Sequence, residues 1–416
     1  MRRFIVVVLD GFGIGTMDDT ARLRPQDTNA NTALHILQAV PDLALPTLAS
    51  LGLGNAILSA GDCNLPPNLA SAASCCYGTH NLAHFGADTF WGHQELMGTK
   101  PLKGESAPIL GKLPEITDAL KAAGHRVRFY SGQEGNGSPA EGKAGILIVD
   151  ECVTVGDNLE TDLGDNYNVT AALDIVPFEE EMKIGRLVRS LVHASRVIIF
   201  GGKEVGLSDL LNAYESRQGY AGINAPLSGV YNTGYLVQHL GYGVNAAVQA
   251  PSILAGAGIP TVLIGKAADI IENPGRNITG VDTETVLAET RKALASLERG
   301  FVCVNVQETD LAGHREDPRL YAEKLIIADA GIRQIMNVMC KKDILVVTAD
   351  HGNDPLIGHS RHTREKTPVL AWGPSLEAGF LGQRDSLADT GATVCDYFGA
   401  PAPESGQSYL KLLKQR

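Results

Sequence analysis

Short, uninterrupted apolar runs punctuate this chain, and each stops abruptly at polar or turn residues. Phe4–Leu9 ends at Asp10, Phe301–Val306 leads to Asp310, Ile344–Val347 runs into Thr348-Ala-Asp-His, and Val369–Trp372 ends at Gly-Pro. Continuous rather than alternating hydrophobicity predicts strands buried on both faces of a parallel sheet. Helical periodicity fills the spaces between them, as in Thr283–Leu297 and Arg319–Met339. That alternation predicts an α/β sandwich of three layers, helix on sheet on helix. In such sheets ligands bind beyond the carboxyl ends of the strands. Three of these strands deliver Asp or Asp-His to that edge.

The middle of the chain reads differently. From about Gly104 to Tyr231 the pattern is broken by two turn-rich segments, Ser131-Gly-Gln-Glu-Gly-Asn-Gly-Ser138 and Gly156-Asp-Asn-Leu-Glu-Thr-Asp-Leu-Gly-Asp-Asn166. Between them lie apolar runs such as Ala144–Val149, followed by Arg196–Phe200. A smaller α/β domain inserted at 104–231 is expected, with the core built from 1–103 and 232–416. Neither an internal repeat nor a low-complexity tract is present.

Composition narrows the function. With 416 residues, 44% hydrophobic and 20% charged, the chain has material for two or three cores and cannot be a disordered polymer. The 46 glycines predict many tight turns. A net charge of −12 without a basic run argues against nucleic-acid or membrane-surface binding and suits a protein that holds anionic substrates through cations. No apolar run approaches the roughly 20 residues needed to cross a bilayer. The opening Met-Arg-Arg-Phe-Ile-Val-Val-Val-Leu-Asp is too short in its apolar part for a secretion signal and ends on an acid, so a buried strand and a cytoplasmic enzyme are expected. The seven cysteines (Cys63, Cys75, Cys76, Cys152, Cys303, Cys340 and Cys395) include no C-x-x-C pair, which argues against a disulfide framework or a thiolate zinc site.

The candidate chemistry lies in a set of hard-metal ligand types: Asp10, Asp310 with His314, Asp350 with His351, and His362. Carboxylate and imidazole together suit Mn²⁺ or Zn²⁺. Six such groups exceed one site and suit two adjacent ions, an arrangement that clamps a phosphoryl group and lowers the pKa of a bound nucleophile. Singly, Asp and His at strand ends also serve as helix caps or solvated groups; the joint placement is what points to metal. In Gly86-Ala-Asp-Thr-Phe-Trp-Gly-His93, the Thr89 hydroxyl beside such ions could carry a phosphoryl group covalently; alone, the stretch would be a loop with a capping threonine. The segment His359–Pro368 offers His362 as a ligand and Arg361, Arg364 and Lys366 as anion partners, or else a solvated charged loop. Asp10-Gly-Phe-Gly-Ile-Gly15 is a poor dinucleotide loop, because a carboxylate placed directly ahead of the glycines would repel a pyrophosphate.

Together these residues resemble the alkaline-phosphatase superfamily of metalloenzymes and, within it, the phosphopentomutases. Val8-Leu-Asp-Gly-Phe-Gly-Ile-Gly15 is similar to the opening strand and first metal carboxylate of that family. Leu45-Pro-Thr-Leu-Ala-Ser-Leu-Gly-Leu53, Gly265-Lys-Ala-Ala-Asp-Ile270 and Thr348-Ala-Asp-His-Gly-Asn-Asp-Pro355 resemble further family segments. The more specific likenesses are Asp88-Thr-Phe-Trp-Gly-His-Gln-Glu-Leu-Met-Gly98, similar to the nucleophile motif, and His362-Thr-Arg-Glu365 ahead of Pro368-Val-Leu. The resemblance implies that Asp10, Asp350 and His351 hold one ion, touched also by Thr89, and that Asp310, His314 and His362 hold the second. It implies Thr89 as the phosphorylated nucleophile, two divalent ions (Mn²⁺ first, Zn²⁺ or Mg²⁺ otherwise), and a cap domain that closes over a sugar phosphate. In the cap, Asp157, Leu159 and Arg186 match positions that contact substrate, Arg186 as phosphate partner. The implied reaction moves a phosphoryl group between the 1 and 5 positions of a pentose phosphate, with a sugar bisphosphate as a candidate activator.

The chain also departs from the family. Leu-Val-Arg-Ser follows Arg186 where Val-Ile-Ala-Arg is usual. Asn232-Thr-Gly-Tyr stands near the place of an Asn-Arg-His-Asp segment. Gln94 replaces a Trp, and Asp310 lies one position closer to His314 than in the family, as in cofactor-independent phosphoglycerate mutase. A paralogue acting on a related phosphosugar is therefore one alternative. A phosphohydrolase with the same metals and a non-catalytic metal-binding protein are the others.

Overall fold

The computed structural model describes residues 1–61, 64–132, 142–160 and 163–414. Its strands in chain order begin with β1 (Arg2–Leu9), β2 (Cys76–His80), β3 (Val127–Tyr130), β4 (Ile146–Val149), β5 (Val153–Asp157), β6 (Asn166–Ala172), β7 (Arg196–Gly202) and β8 (Tyr214–Arg217). They continue with β9 (Tyr220–Ile223), β10 (Leu236–Gly241), β11 (Thr261–Ile264), β12 (Arg276–Ile278), β13 (Arg299–Val306), β14 (Ile344–Thr348), β15 (Thr367–Trp372) and β16 (Gly379–Arg384). The chain divides into two compact units, 1–101 with 245–416, and 102–244.

The first unit is built on an eight-stranded sheet in the order β12-β11-β13-β1-β14-β15-β2-β16. β1 lies at its centre and pairs in parallel with β13 and β14, Val6 opposite both Cys303 and Val346. Ile5, Val7 and Leu9 face one apolar cluster with Ile36, Leu48, Val286 and Leu325, drawn from the helices Thr32–Ala39, Pro46–Leu51, Thr283–Ser296 and Pro318–Asn337. Phe4 faces the other way and meets Tyr397 of the helix Ala388–Phe398, ring centroids 5.4 Å apart. Helices thus cover both faces, which is why the strands read as unbroken apolar runs. One expectation needs correcting: the run Val369–Trp372 belongs to β15, which pairs antiparallel with β14 and with β2 rather than joining a purely parallel sheet. Its N-terminal end therefore lies at the edge where β1, β13 and β14 finish.

The second unit has a six-stranded sheet, β10-β7-β6-β5-β4-β3, antiparallel except for β6 and β7. The helices Leu113–Ala122 and Phe178–Leu191 cover one face. The β8-β9 ribbon and the short helices Leu207–Asn212 and Ala225–Ser228 pack on the other. A return to the core at 232 comes before β10, whose Leu236–Gly241 pairs with β7 and so stays with the second unit. Of the turn-rich segments, Gly156-Asp157 closes β5 and Asn166 opens β6, whereas 133–138 and 161–162 lie outside the described residues.

One buried acid makes the stability of this unit depend on pH. Glu181, on the sheet-facing side of Phe178–Leu191, is fully buried and neither carboxylate oxygen has a hydrogen-bond partner. Burial pushes its pKa up to about 8. The folded form thus favours the neutral acid, while the unfolded chain ionises near 4.5. Its contribution is fully present below the unfolded value and is lost as pH rises through the folded one. The unfolding free energy of the full chain in urea should fall between about pH 5 and pH 8, by up to ~1.4 kcal/mol per pH unit from this group. Glu181→Gln should flatten that slope; an identical slope in the variant would contradict the assignment.

Candidate metal centre and nucleophile

The edge where β1, β13 and β14 end gathers the acids. Leu9 pairs with Val306 and Val8 with Thr348, so Asp10, Asp310 and Asp350 leave neighbouring strands side by side. The loop between β14 and β15 turns back at the same edge, because β15 runs antiparallel; this is how His351 and His362 both reach it. β2 runs in the direction of β1 and ends there too, feeding the helix Thr89–Leu96. Asp88 caps that helix by accepting from the Trp91 amide at 3.0 Å. Gly92 is required at its fourth position: a Cβ there would sit 2.5 Å from the Asp350 carbonyl oxygen. Close approach sets the Thr89 hydroxyl 2.6 Å from Asp350 Oδ2 and 3.1 Å from Asp10 Oδ1.

Asp10, Asp350 and His351 are fully buried. His351 Nδ1 lies 2.9 Å from the Gly352 carbonyl oxygen, to which it donates. The bare lone pair of Nε2 then faces Asp10 Oδ1 at 3.4 Å and Asp350 Oδ2 at 3.3 Å, without a hydrogen-bond partner. The Thr89 hydroxyl has a single proton and can satisfy one of the two carboxylates. A buried lone pair and two carboxylate oxygens in contact are mutually repulsive unless a cation lies among them. The strain registers in the acids. Burial and the Asp350 charge push Asp10 up to about 7, with Lys266 offsetting only part. Burial also opposes ionisation of Asp350, but His93, whose Nδ1 lies 3.2 Å from Oδ2, helps to hold it below the usual carboxylate range.

The second group repeats the pattern. His314 Nδ1 donates to the Ser360 carbonyl at 2.7 Å and His362 Nδ1 to the Ala87 carbonyl at 3.3 Å. Their Nε2 atoms stand 3.0 Å apart, and 3.4 and 3.3 Å from the two oxygens of Asp310. A metal-ligating histidine characteristically donates its other ring N–H to a carbonyl, as all three do here. Within each group, Asp10-Asp350-His351 and Asp310-His314-His362, the ligand atoms lie within 4.8 Å of one another. The donor set fits a divalent cation in each.

Other residues of the centre escaped the sequence analysis. Lys266 Nζ lies 3.1 Å from Asp10 Oδ2 and 3.4 Å from Asp310 Oδ2, tying the two groups together. The segment Gly265-Lys-Ala-Ala-Asp-Ile270 was its only signal. His93 Nδ1 sits 2.9 Å from the Thr89 carbonyl and 3.2 Å from Asp350 Oδ2, and its Nε2 accepts from Asn305, which also donates to Asp10. Asn353 donates to Asp310 Oδ1 at 2.8 Å.

Several expected anion partners have other employment. Arg364 is buried; it makes a bidentate pair with Asp19 and donates to the carbonyls of Leu82, His84 and Gly86. It is a clamp on the loop before Thr89, not an anion receptor. Lys366 donates to the Ala60 carbonyl at 3.0 Å, and Arg361 is exposed. The glycine run after Asp10 makes room for buried Glu365, whose carboxyl would meet a Cβ on Gly13 at 2.3 Å. In the second unit Asp157 is buried and accepts from the Ile109 and Ala221 amides at 2.8 and 2.9 Å. Leu159 is buried, and Arg186 is exposed on Phe178–Leu191 away from the side that packs on the sheet. No hydrogen bond or ion pair among the described residues joins Arg186 to Asp157 or Leu159.

Comparison with known proteins points to a metalloenzyme. The profile of the Metalloenzyme superfamily matches residues 89–402. The phosphopentomutase of Anaeromyxobacter sp. strain K is 31% identical over 415 residues, covering 98% of each chain. That of Symbiobacterium thermophilum is 30% identical over 426 residues, covering 100% of this chain and 99% of the relative. Among solved structures, a phosphoglycerate mutase of Leishmania mexicana covers 100% of this chain and 98% of its own at 14% identity and a TM-score of 0.45, too distant to bear on substrate. No helix among the described residues is long and apolar enough to cross a membrane. The chain belongs to the alkaline-phosphatase superfamily of metalloenzymes and, within it, to the phosphopentomutases: it is a divalent-metal-dependent phosphomutase, an isomerase, with a small sugar phosphate as substrate.

Proposed function

We propose that this chain is a cytoplasmic enzyme that moves a phosphoryl group between the 1 and 5 positions of a pentose phosphate, with Thr89 as the covalent carrier. The observation that carries the reading is the Thr89 hydroxyl, held 2.6 Å from Asp350 and 3.1 Å from Asp10 beside the unpartnered Nε2 of His351. Asp10, Asp350 and His351 would hold one ion and Asp310, His314 and His362 the other, with Mn²⁺ favoured by the mixed carboxylate–imidazole set. Bound there, the ions would neutralise phosphoryl oxygens and acidify the Thr89 hydroxyl.

The chain's own groups do the rest. Thr89 opens its helix, so the positive end of the helix dipole favours the negative oxygens of a phosphoryl group on Oγ. The Arg364 clamp and the His93 bond to the Thr89 carbonyl fix where that oxygen sits. In the phosphorylated enzyme, the free hydroxyl of a sugar phosphate loses its proton and attacks phosphorus. The bond from phosphorus to Thr89 Oγ breaks and leaves a sugar bisphosphate. The freed Oγ then attacks the other phosphoryl group, and the departing sugar oxygen takes up the proton. A sugar bisphosphate would prime an unphosphorylated enzyme by the second half of this sequence. Asp157, Leu159 and Arg186 remain candidates for substrate contact by family position, although Asp157 is already bonded to two amides.

Incubation with a sugar bisphosphate should add the mass of one phosphoryl group to the peptide containing Thr89. Thr89→Ala should abolish that addition and lower isomerisation by at least about 10³-fold while keeping both ions. Rapid phosphate release from ribose 5-phosphate without isomer would instead favour a hydrolase. Gly92→Ala, by pushing the helix away from Asp350, should cut kcat by about 10²-fold with metal content unchanged; wild-type kcat in that variant would contradict the close-approach argument.

A further inference from the structure

The loop that brings His362 to the metal centre is gripped from outside by a buried acid. Asp27 ends the short helical turn Pro25–Asp27 in the first unit and is fully buried. Its Oδ1 lies 3.1 Å from His359 Nε2. Its Oδ2 accepts from Arg24 Nε at 2.6 Å and from the Arg364 amide at 3.0 Å. Arg24 in turn donates from Nη2 to the carbonyl of His362 at 2.9 Å. One carboxylate therefore holds residues on either side of a metal-ligand candidate, and reaches that residue's own carbonyl through a guanidinium.

The donors and acceptors of this bracket are matched. His359 Nδ1 accepts from the Arg361 amide at 3.3 Å, which puts the ring's proton on Nε2, facing Asp27. Each Asp27 oxygen thus has a donor, and the Arg24 guanidinium supplies the counter-charge that a buried carboxylate needs. The planar fork of Arg24 holds a carboxylate and a carbonyl at once, which the single point charge of a lysine would do less precisely. The same segment takes Arg364 by its other groups. Asp19 pairs with its guanidinium, and the Thr20 hydroxyl donates to its carbonyl at 2.9 Å.

Inside the bracket lies the stretch His359–His362. His362 turns its Nε2 to Asp310, and the Ser360 carbonyl takes the Nδ1 proton of His314. Two of the three side chains in the Asp310-His314-His362 group are therefore aimed by this one stretch. The other group has its own support: Asp10 and Asp350 follow the paired strands β1 and β14, and His351 bonds the carbonyl of its neighbour Gly352. Losing a partner that orients a metal ligand costs about 10- to 100-fold in metal affinity. We propose that Asp27, acting through Arg24 and His359, is a positioning residue that sets the ion affinity of the Asp310-His314-His362 group and not that of the other. The proposal rests on the two-ion reading above. A mere staple of the fold would affect stability, or both groups alike; selectivity between the groups is the mark of positioning.

The test is equilibrium titration of the metal-free, full-length chain with Mn²⁺ alone, counting bound ions and their affinities. The wild type should bind two ions. Asp27→Asn keeps the shape and removes the charge; it should bind one ion as tightly as the wild type and the other about 10- to 100-fold more weakly. His314→Ala, which removes a side chain of the Asp310 group, identifies the ion concerned: adding Asp27→Asn to it should leave the remaining ion unchanged. Arg24→Lys should weaken the same ion as Asp27→Asn, by a smaller factor. Wild-type affinity for both ions in Asp27→Asn, equal weakening of both, or weakening of the ion that remains in His314→Ala would overturn the proposal. If Asp27→Asn does not fold, Arg24→Lys decides, because it alters a partly exposed residue; unchanged affinity for both ions there would overturn the proposal as well. A wild type that binds fewer than two ions would instead overturn the two-ion reading.

Discussion

The edge that gathers these acids follows from one electrostatic constraint: more buried negative charge and lone-pair density than the protein's own protons can satisfy. Asp10, Asp350 and Asp310 sit within reach of one another, and among the described residues the ammonium that meets them is that of Lys266. Three imidazoles spend their Nδ1 protons on backbone carbonyls and turn bare Nε2 atoms inward. Such an arrangement is costly in a low-dielectric interior unless cations complete it. The same unmet demand makes it useful, since ions held this way can face a phosphoryl group.

The surrounding polar interior keeps this charge in place. Glu95 is buried and accepts from the amides of Ala83, His84 and Leu387 and from the Ser386 hydroxyl, pinning the loop ahead of Thr89 to the far side of the unit. Arg364 clamps the same loop through three carbonyls. Glu365 joins Thr32, Thr363 and the Gly15 amide, linking the segment after Asp10 to the one that carries His362. Each staple joins residues far apart in sequence, so the geometry of the centre depends on the whole first unit rather than on any local motif. Removing one partner would leave a buried group unpaired, which costs more than the bond itself contributes.

The apolar runs announced the layered fold because two covering layers of helices leave no room for alternation. The ligand types after those runs announced the metal groups because strand ends in a parallel sheet share an edge. What escaped was set by orientation and by long-range pairing. The antiparallel course of β15 depends on its neighbours β14 and β2, which the run Val369–Trp372 does not encode. Arg364 read as an anion partner because charge is visible in a sequence, whereas its saturation by Asp19 and three carbonyls is not. Lys266 was hidden for the opposite reason: it stands some forty positions before Asp310 and only the fold brings the two together.

The most direct measurement is anomalous diffraction at the manganese edge from crystals grown with Mn²⁺. Two peaks are expected, one enclosed by Asp10, Asp350 and His351 and one by Asp310, His314 and His362, with Thr89 Oγ beside the first. Absent peaks, or peaks away from these six residues, would contradict the account.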